Sequence, residues 1–227
     1  MLVIVANSKE EIVFLLNRSK TINEFSYANV TIIEAKIKDK KIIYLITGYT
    51  SINIGFAFGY IINYYHIKEV IIVGTCASLN NEYKIGDIII SSQTLAFNIN
   101  YSALNYPLTT TPNNNLSIIY ANNNLIKKAV NKSKDLFINY KVGRFGSTDS
   151  FIASGNEKEF IKTTFKIDAI DLNSAFIALI ANSLEIPFVS LKGISNYADN
   201  YAGEDYNNYK NLANENSNLL VYKIITT

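Results

Sequence analysis

Short aliphatic and β-branched runs recur along the chain at Leu2–Val5, Val30–Ile37, Lys41–Ile46, Val70–Val73, Asp87–Ser91 and Pro187–Ile194. Several are apolar at nearly every position, as strands buried on both faces are. Between them lie stretches with helical spacing. Glu10–Asn17 carries Ile12, Val13, Leu15 and Leu16, and Ile52–Tyr65 is largely apolar, with Gly55 and Gly59 allowing close packing. Leu172–Leu184 and Asp205–Ile225 form two more. This alternation predicts an α/β fold, a central mixed or mostly parallel sheet flanked by helices. The least regular stretch is Thr94–Asn115, rich in Asn, Tyr, Thr and Pro. A binding loop or lid and an ordinary surface excursion both fit it.

Length changes the picture little. A chain of 227 residues with 48% hydrophobic content can bury one sizeable core. No internal repeat or Pro/Gly/Ser linker divides it, so residues 1–227 are expected to form one domain. Charge excludes more. The net charge is +2 and the 21 basic residues are scattered, unlike the basic stripe of a nucleic-acid binder. The single cysteine, Cys76, cannot form an internal disulfide and suits a reducing compartment. The opening MLVIVANSKEE lacks a basic leader, and no apolar stretch approaches the ~20 residues needed to span a bilayer. A cytoplasmic protein without a membrane partner is the expectation.

In open α/β sheets, ligands bind outside the carboxyl ends of the strands. That rule selects four loops. The first holds Asn7, Ser8 and Glu11; the second reads Gly74-Thr75-Cys76-Ala77-Ser78. The third holds Asp149-Ser150-Phe151-Ile152, and the fourth Ser195, Asn196 and Asp199. Small residues after a strand let a ligand approach the backbone, Thr75 offers a hydroxyl, and Phe151 offers a flat face for a base.

Each feature also has a plainer explanation. Ser8-Lys9-Glu10-Glu11 has the spacing of a capping box before an apolar helix. Gly74-Thr75 can simply turn the chain, and Phe151 can be a core side chain. His66 ends an apolar helix and reads as structural. One His and one Cys leave a zinc site short of ligands, so no metal or cofactor is expected. Nothing in the sequence brings Cys76 and His66 together as a nucleophile pair. Residues alone lead to a small-ligand α/β protein with candidate loops.

The ordered set of motifs goes further. The opening strand with Lys9-Glu10-Glu11, the segment Gly48–Gly59, VGTCASLNNEYKIGDIII, STDSFI, DLNSAFIALIA, IPFVSLKGISNYAD and the long final helix follow one another over about 220 residues. In this the chain resembles the 5'-methylthioadenosine/S-adenosylhomocysteine nucleosidases of the purine nucleoside phosphorylase superfamily. The resemblance implies a nucleoside phosphorylase-like fold and a small-molecule purine nucleoside as partner. It also implies a homodimer in which a neighbour's loop closes the 5' side of the pocket, with Thr94–Pro107 as candidate. It implies Glu11 as the carboxylate that activates water, Phe151 stacking on the purine, Ile152 reading the base edge through its backbone, and Leu172 beside the ribose. Thr75 matches a hydroxyl near the sugar, and Ser195 precedes the family's catalytic acid.

Two departures fall at sensitive places. Where the family keeps a ribose-binding glutamate this chain has Asn173, and where it keeps the acid that protonates purine N7 it has Asn196. Asn100 also stands where the resemblance implies an acid. An amide donates a hydrogen bond to N7 but cannot transfer a proton, and general acid assistance is typically worth about 10²–10⁴-fold in rate. An Asn suits the acceptor-only O6/N7 edge of a 6-oxopurine, as in futalosine hydrolases. At residue 173 an amide still bonds a sugar hydroxyl, without the charge that strengthens the bond. The chain has only two arginines, Arg18 and Arg144, neither in a candidate loop, and Lys192 lies inside a strand. Hydrolysis is therefore favoured over phosphorolysis, which recruits arginine forks. Three readings remain: a weakened methylthioadenosine/adenosylhomocysteine nucleosidase, a 6-oxopurine nucleoside hydrolase, and a non-catalytic nucleoside-binding protein.

Overall fold

The computed structural model describes residues 1–112 and 117–227. Its elements run β1 (Leu2–Ala6), α1 (Val13–Leu16), β2 (Lys20–Tyr27), β3 (Val30–Ile37), β4 (Lys40–Ile46), α2 (Ser51–Tyr64), β5 (Glu69–Ile72), β6 (Thr75–Ser78) and β7 (Ile88–Ala96). There follow β8 (Ile119–Tyr120), α3 (Asn123–Asp135), β9 (Tyr140–Ser147), α4 (Gly155–Phe165), β10 (Ala169–Asp171), α5 (Ser174–Ser183), β11 (Phe188–Asn196) and α6 (Ala202–Thr226).

The strands form one mixed sheet in the order β2-β3-β4-β1-β5-β11-β6-β10-β9-β7-β8. A further antiparallel pairing of β11 with β7 closes β11, β6, β10, β9 and β7 into a ring. The sheet is thus open at one end and barrel-like at the other. β11 is the seam between the two halves. It runs parallel to β5 through Phe188–Ser190 and parallel to β6 from Gly193, and all nine of its residues are buried. That burial explains why Pro187–Ile194 reads as an almost continuous apolar run.

Helices cover the sheet, and α6 lies directly on β11. The approach is close: a Cβ at Gly193 would lie 2.1 Å from the backbone oxygen of Ala213. Only a glycine admits the helix backbone there. Glu204 and Asp205 sit in the first turn of α6 and Lys223 in its last, both favourable to the helix dipole. Asn122 caps α3 by accepting the N–H groups of Asn124 and Leu125.

The structure corrects four sequence expectations. Thr75–Ser78 is a strand rather than a loop, wedged between β10 and β11. Glu10–Asn17 is not one helix: a 3-10 turn over Glu10–Ile12 precedes the four-residue α1. The capping box does not form, because Ser8 Oγ bonds to Glu10 while Glu11 turns its carboxylate back to Asn7. Finally, the irregular stretch begins later than Thr94, since β7 runs on to Ala96. Beyond it Ser102–Leu104 forms a 3-10 turn, and Asn100 accepts the N–H of Ser102 as a turn residue. Residues 113–115 of that stretch lie outside the described residues. No described helix is long and apolar enough to cross a membrane.

Candidate active site

A cavity of about 590 Å³ opens where the carboxyl ends of β1, β6, β9, β10 and β11 converge. It is lined by residues from all four loops selected on sequence, and by one face of α6.

Asn7 and Glu11 come from the turn after β1. Both are buried, and Asn7 grips the carboxylate with two donors. Its backbone N–H reaches Oε2 at 2.7 Å and its Nδ2 reaches Oε1 at 3.1 Å. Gly74, at φ +114°, makes room: a Cβ there would lie 2.7 Å from Glu11 Oε2. Burial raises the Glu11 pKa, opposed by the positive charge of Lys192 and by the two Asn7 hydrogen bonds, while Asp171 adds to the rise. A buried carboxylate with an elevated pKa is suited to taking a proton near neutrality.

β6 supplies Thr75, Cys76 and Ala77 to the wall. Burial pushes the Cys76 thiol well up, so it stays protonated and unreactive. His66 lies just before β5 and Cys76 beyond its other end, so the two form no nucleophile pair.

The loop after β9 contributes Asp149, Ser150, Phe151 and Ile152. Phe151 is half exposed, unlike a core side chain, and stands edge-on to Tyr206 at 5.8 Å between centroids. Ile152 is buried. Asp149 anchors the loop by accepting the backbone N–H and hydroxyl of Ser51, at the start of α2, at 2.8 and 2.6 Å.

Leu172 lines the cavity beside Asp171. Asn173 does not. It is wholly buried, and its amide is engaged at both ends: Nδ2 donates to Asn7 Oδ1 at 2.9 Å, and Oδ1 accepts Lys192 Nζ at 2.8 Å. Its expected place against a sugar is taken by these partners. Asp171, at the cavity wall, accepts from Ser147 Oγ and from both the backbone N–H and hydroxyl of Ser174, with Lys192 Nζ at 3.5 Å. Asn196 reaches the cavity from the end of β11, whereas Ser195 is buried behind it. Asn196 Nδ2 donates to Ser195 Oγ at 3.0 Å, and its Oδ1 accepts the Ala198 N–H at 3.0 Å.

Sequence reasoning missed the helical wall. Tyr206, Lys210 and Asn214 of α6 line the cavity at intervals of four, with Asn211 between them, and Tyr49 faces in after β4. The i, i+4, i+8 spacing was the available signal. Burial pushes the Tyr206 phenol up to about 12, keeping its proton in place as a donor. Asn214 Oδ1 is buried without a partner. Both arginines lie off the cavity: the Arg18 guanidinium stacks on Phe14 at 3.6 Å, and Arg144 sits in β9. Among the described residues no three His, Cys, Asp or Glu side chains converge as a metal site would require.

Known proteins match this chain in sequence and in fold. A family model described as "Phosphorylase superfamily" matches residues 1–226. The 5'-methylthioadenosine/S-adenosylhomocysteine nucleosidase of Staphylococcus carnosus is 25% identical over 227 residues, covering 99% of each chain. The aminodeoxyfutalosine nucleosidase of Campylobacter jejuni is 25% identical over 206 residues, covering 91% of this chain and 90% of the other. The crystal structure of the Neisseria meningitidis 5'-methylthioadenosine/S-adenosylhomocysteine nucleosidase, complexed with methylthio-immucillin-A, superposes with a TM-score of 0.93. It covers 99% of this chain and 97% of its own at 22% identity, a likeness of fold.

Proposed function

Because the chain belongs to the phosphorylase superfamily, we propose that it is a hydrolase cleaving the N-glycosidic bond of a purine nucleoside of the 5'-methylthioadenosine/S-adenosylhomocysteine type. The observation that carries this reading is the buried Glu11 carboxylate on the cavity wall, with both oxygens held by Asn7.

Phe151 provides the stacking face for the purine, and Ile152 offers its backbone to the base edge. Thr75 and Leu172 flank the sugar. A water attacks the anomeric carbon as the bond to N9 breaks. The bond's electron pair leaves with the base, and the water's proton passes to Glu11. Asn196 donates a hydrogen bond to the departing base, with Ser195 fixing its amide. It has no proton to transfer, so the base is protonated from solvent and the chemistry is slowed accordingly. Asn173 acts behind the wall rather than on the sugar. Phosphorolysis is disfavoured because Lys210 is the only basic side chain among the lining residues.

Asn196 also supports a second reading. With Oδ1 occupied by Ala198 and one Nδ2 hydrogen by Ser195, the remaining N–H meets an acceptor-only 6-oxopurine edge well.

The working unit is a homodimer in the cytoplasm. Tyr101 and Leu104 in the loop after β7 expose apolar surface, and this loop closes the neighbour's 5' subsite. The buried, unpaired Cys76 suits a reducing compartment.

Chromatography of bases released from methylthioadenosine, adenosylhomocysteine and inosine-type nucleosides tests these readings. Adenine release lost in Glu11→Gln supports the first, and hypoxanthine release alone supports the second. Thermal stabilisation by nucleosides with no product from any of them defeats both in favour of a binding protein.

A further inference from the structure

Lys192 is wholly buried in β11, and its ammonium does not reach the cavity. Two side-chain amides connect it to the carboxylate that does. Lys192 Nζ donates to Asn173 Oδ1 at 2.8 Å, Asn173 Nδ2 donates to Asn7 Oδ1 at 2.9 Å, and Asn7 Nδ2 donates to Glu11 Oε1 at 3.1 Å. Every donor points the same way, from the ammonium to the carboxylate.

The two ends fix this direction. An ammonium only donates and an ionised carboxylate only accepts. Turning either amide over would set N–H against N–H at one contact and oxygen against oxygen at the next. Both amides therefore lie with their carbonyls toward Lys192 and their NH₂ groups toward Glu11. Aligned in a buried setting, such hydrogen bonds polarise and strengthen one another.

Resting on the reading of Glu11 as the base, we propose that Asn7 and Asn173 are positioning residues. They form an amide bridge through which Lys192 orients the Glu11 carboxylate and favours its ionised form. This gives the amide at 173 a task of its own. A carboxylate there would present only acceptors to Asn7 Oδ1 and break the run of donors.

The other groups facing Glu11 do not replace the bridge. Asp171 on β10 is negative and Glu10 is its own neighbour in the turn. Tyr206 on α6 keeps its proton, as does Cys76 on β6, and Lys210 sits at the cavity on α6. Among the described residues, Lys192 is the cation whose charge stabilises the ionised Glu11, and it is also shared with Asp171 at 3.5 Å.

The test is a ¹³C NMR titration of the Glu11 carboxyl in glutamate-labelled protein, assigned by its absence in Glu11→Gln. Asn7→Ala and Asn173→Ala should each move the Glu11 midpoint upward by roughly one to two pH units, as loss of a hydrogen bond to a charged group implies. The double variant should move it little further, because both residues serve one chain. In kinetics the acid limb of kcat should shift in step, with KM little changed. Should Asn173→Ala fail to fold, Asn173→Ser with Asn7→Ser makes the same comparison.

An unmoved midpoint, or fully additive shifts in the double variant, overturns the bridge. The titration needs no turnover, so it decides the bridge even if no nucleoside is cleaved. Turnover that vanishes in Glu11→Gln while Asn7→Ala leaves the Glu11 midpoint unmoved overturns the bridge alone and keeps the base.

Discussion

The Oδ1 of Asn196 accepts the backbone N–H of Ala198 at 3.0 Å, and an aspartate oxygen would accept it equally well. Ser195 Oγ, now taking a hydrogen from Asn196 Nδ2, can rotate its own hydrogen outward to the second carboxylate oxygen. Asn196→Asp should therefore keep the pose and add a transferable proton. Release of adenine from methylthioadenosine is expected to quicken by about 10²–10⁴-fold in kcat. A rate equal to or below that of the native chain would remove the missing acid as the reason for slow chemistry.

Glu11→Gln should abolish base release while nucleoside binding persists, as isothermal calorimetry can show. The same variant carries a pH signature. Burial raises the native Glu11 pKa, so the folded protein keeps this proton at pH values where the unfolded chain has lost it. Stability from this group then falls as pH rises from the ordinary carboxylate range through the native value. Glutamine has no such dependence. Whatever constant offset the amide brings, the melting temperature of Glu11→Gln should gain on that of the native protein across this window and run parallel above it.

Phe151→Ala removes the stacking face from a side chain that is 51% exposed. Base–aromatic stacking is worth about 1–3 kcal/mol, so KM for a purine nucleoside should rise roughly 5–150-fold. Thermal stability should barely move, since little core packing is lost. A large drop in melting temperature with unchanged KM would mark Phe151 as structural.

Gly193→Ala makes the opposite separation. The added Cβ would meet the Ala213 backbone oxygen at 2.1 Å, and backbone cannot swing aside as a side chain can. Urea denaturation should register a loss of about 4 kcal/mol or more, at the exceptional end for a single substitution. A loss below about 1 kcal/mol would mean that α6 does not press on β11 as described.

Light scattering at micromolar concentration should give twice the monomer mass. Replacing Tyr101 and Leu104, 42% and 62% exposed, with serine should raise KM for nucleosides with long 5' substituents. A monomer that binds such substrates unimpaired would dismiss the shared subsite.

The pattern of apolar runs revealed β3, β4 and β11 because each is buried along most of its length. It hid β2, Lys20–Tyr27, an edge strand exposed at seven of eight positions and broken by a bulge between Thr21 and Asn23. With no face to bury, it shows no alternation. β6 is four small residues after a positive-φ glycine and so looks like a turn. Amphipathic α3 buries only Leu125, Ala129 and Ser133, too modest a stripe to stand out in an Asn- and Lys-rich stretch. At the site, strand-end placement and motif order reached Glu11, Phe151 and Asn196. Neither reached the partnership of Asn7, Asn173 and Lys192, because hydrogen bonds between residues 166 positions apart leave no local trace.

β11 joins the open and closed parts of the sheet, and the same nine residues carry Lys192 and Asn196. Opening the cavity's polar wall therefore means parting β11 from β5, β6, β7 or α6, which amounts to breaking the molecule at its middle. The site has no separate, low-energy route to disorder, and it belongs to the last cooperative unit to open. Amide hydrogens along β11 should exchange only through global unfolding. On heating, loss of nucleoside binding should coincide with the melting transition rather than precede it.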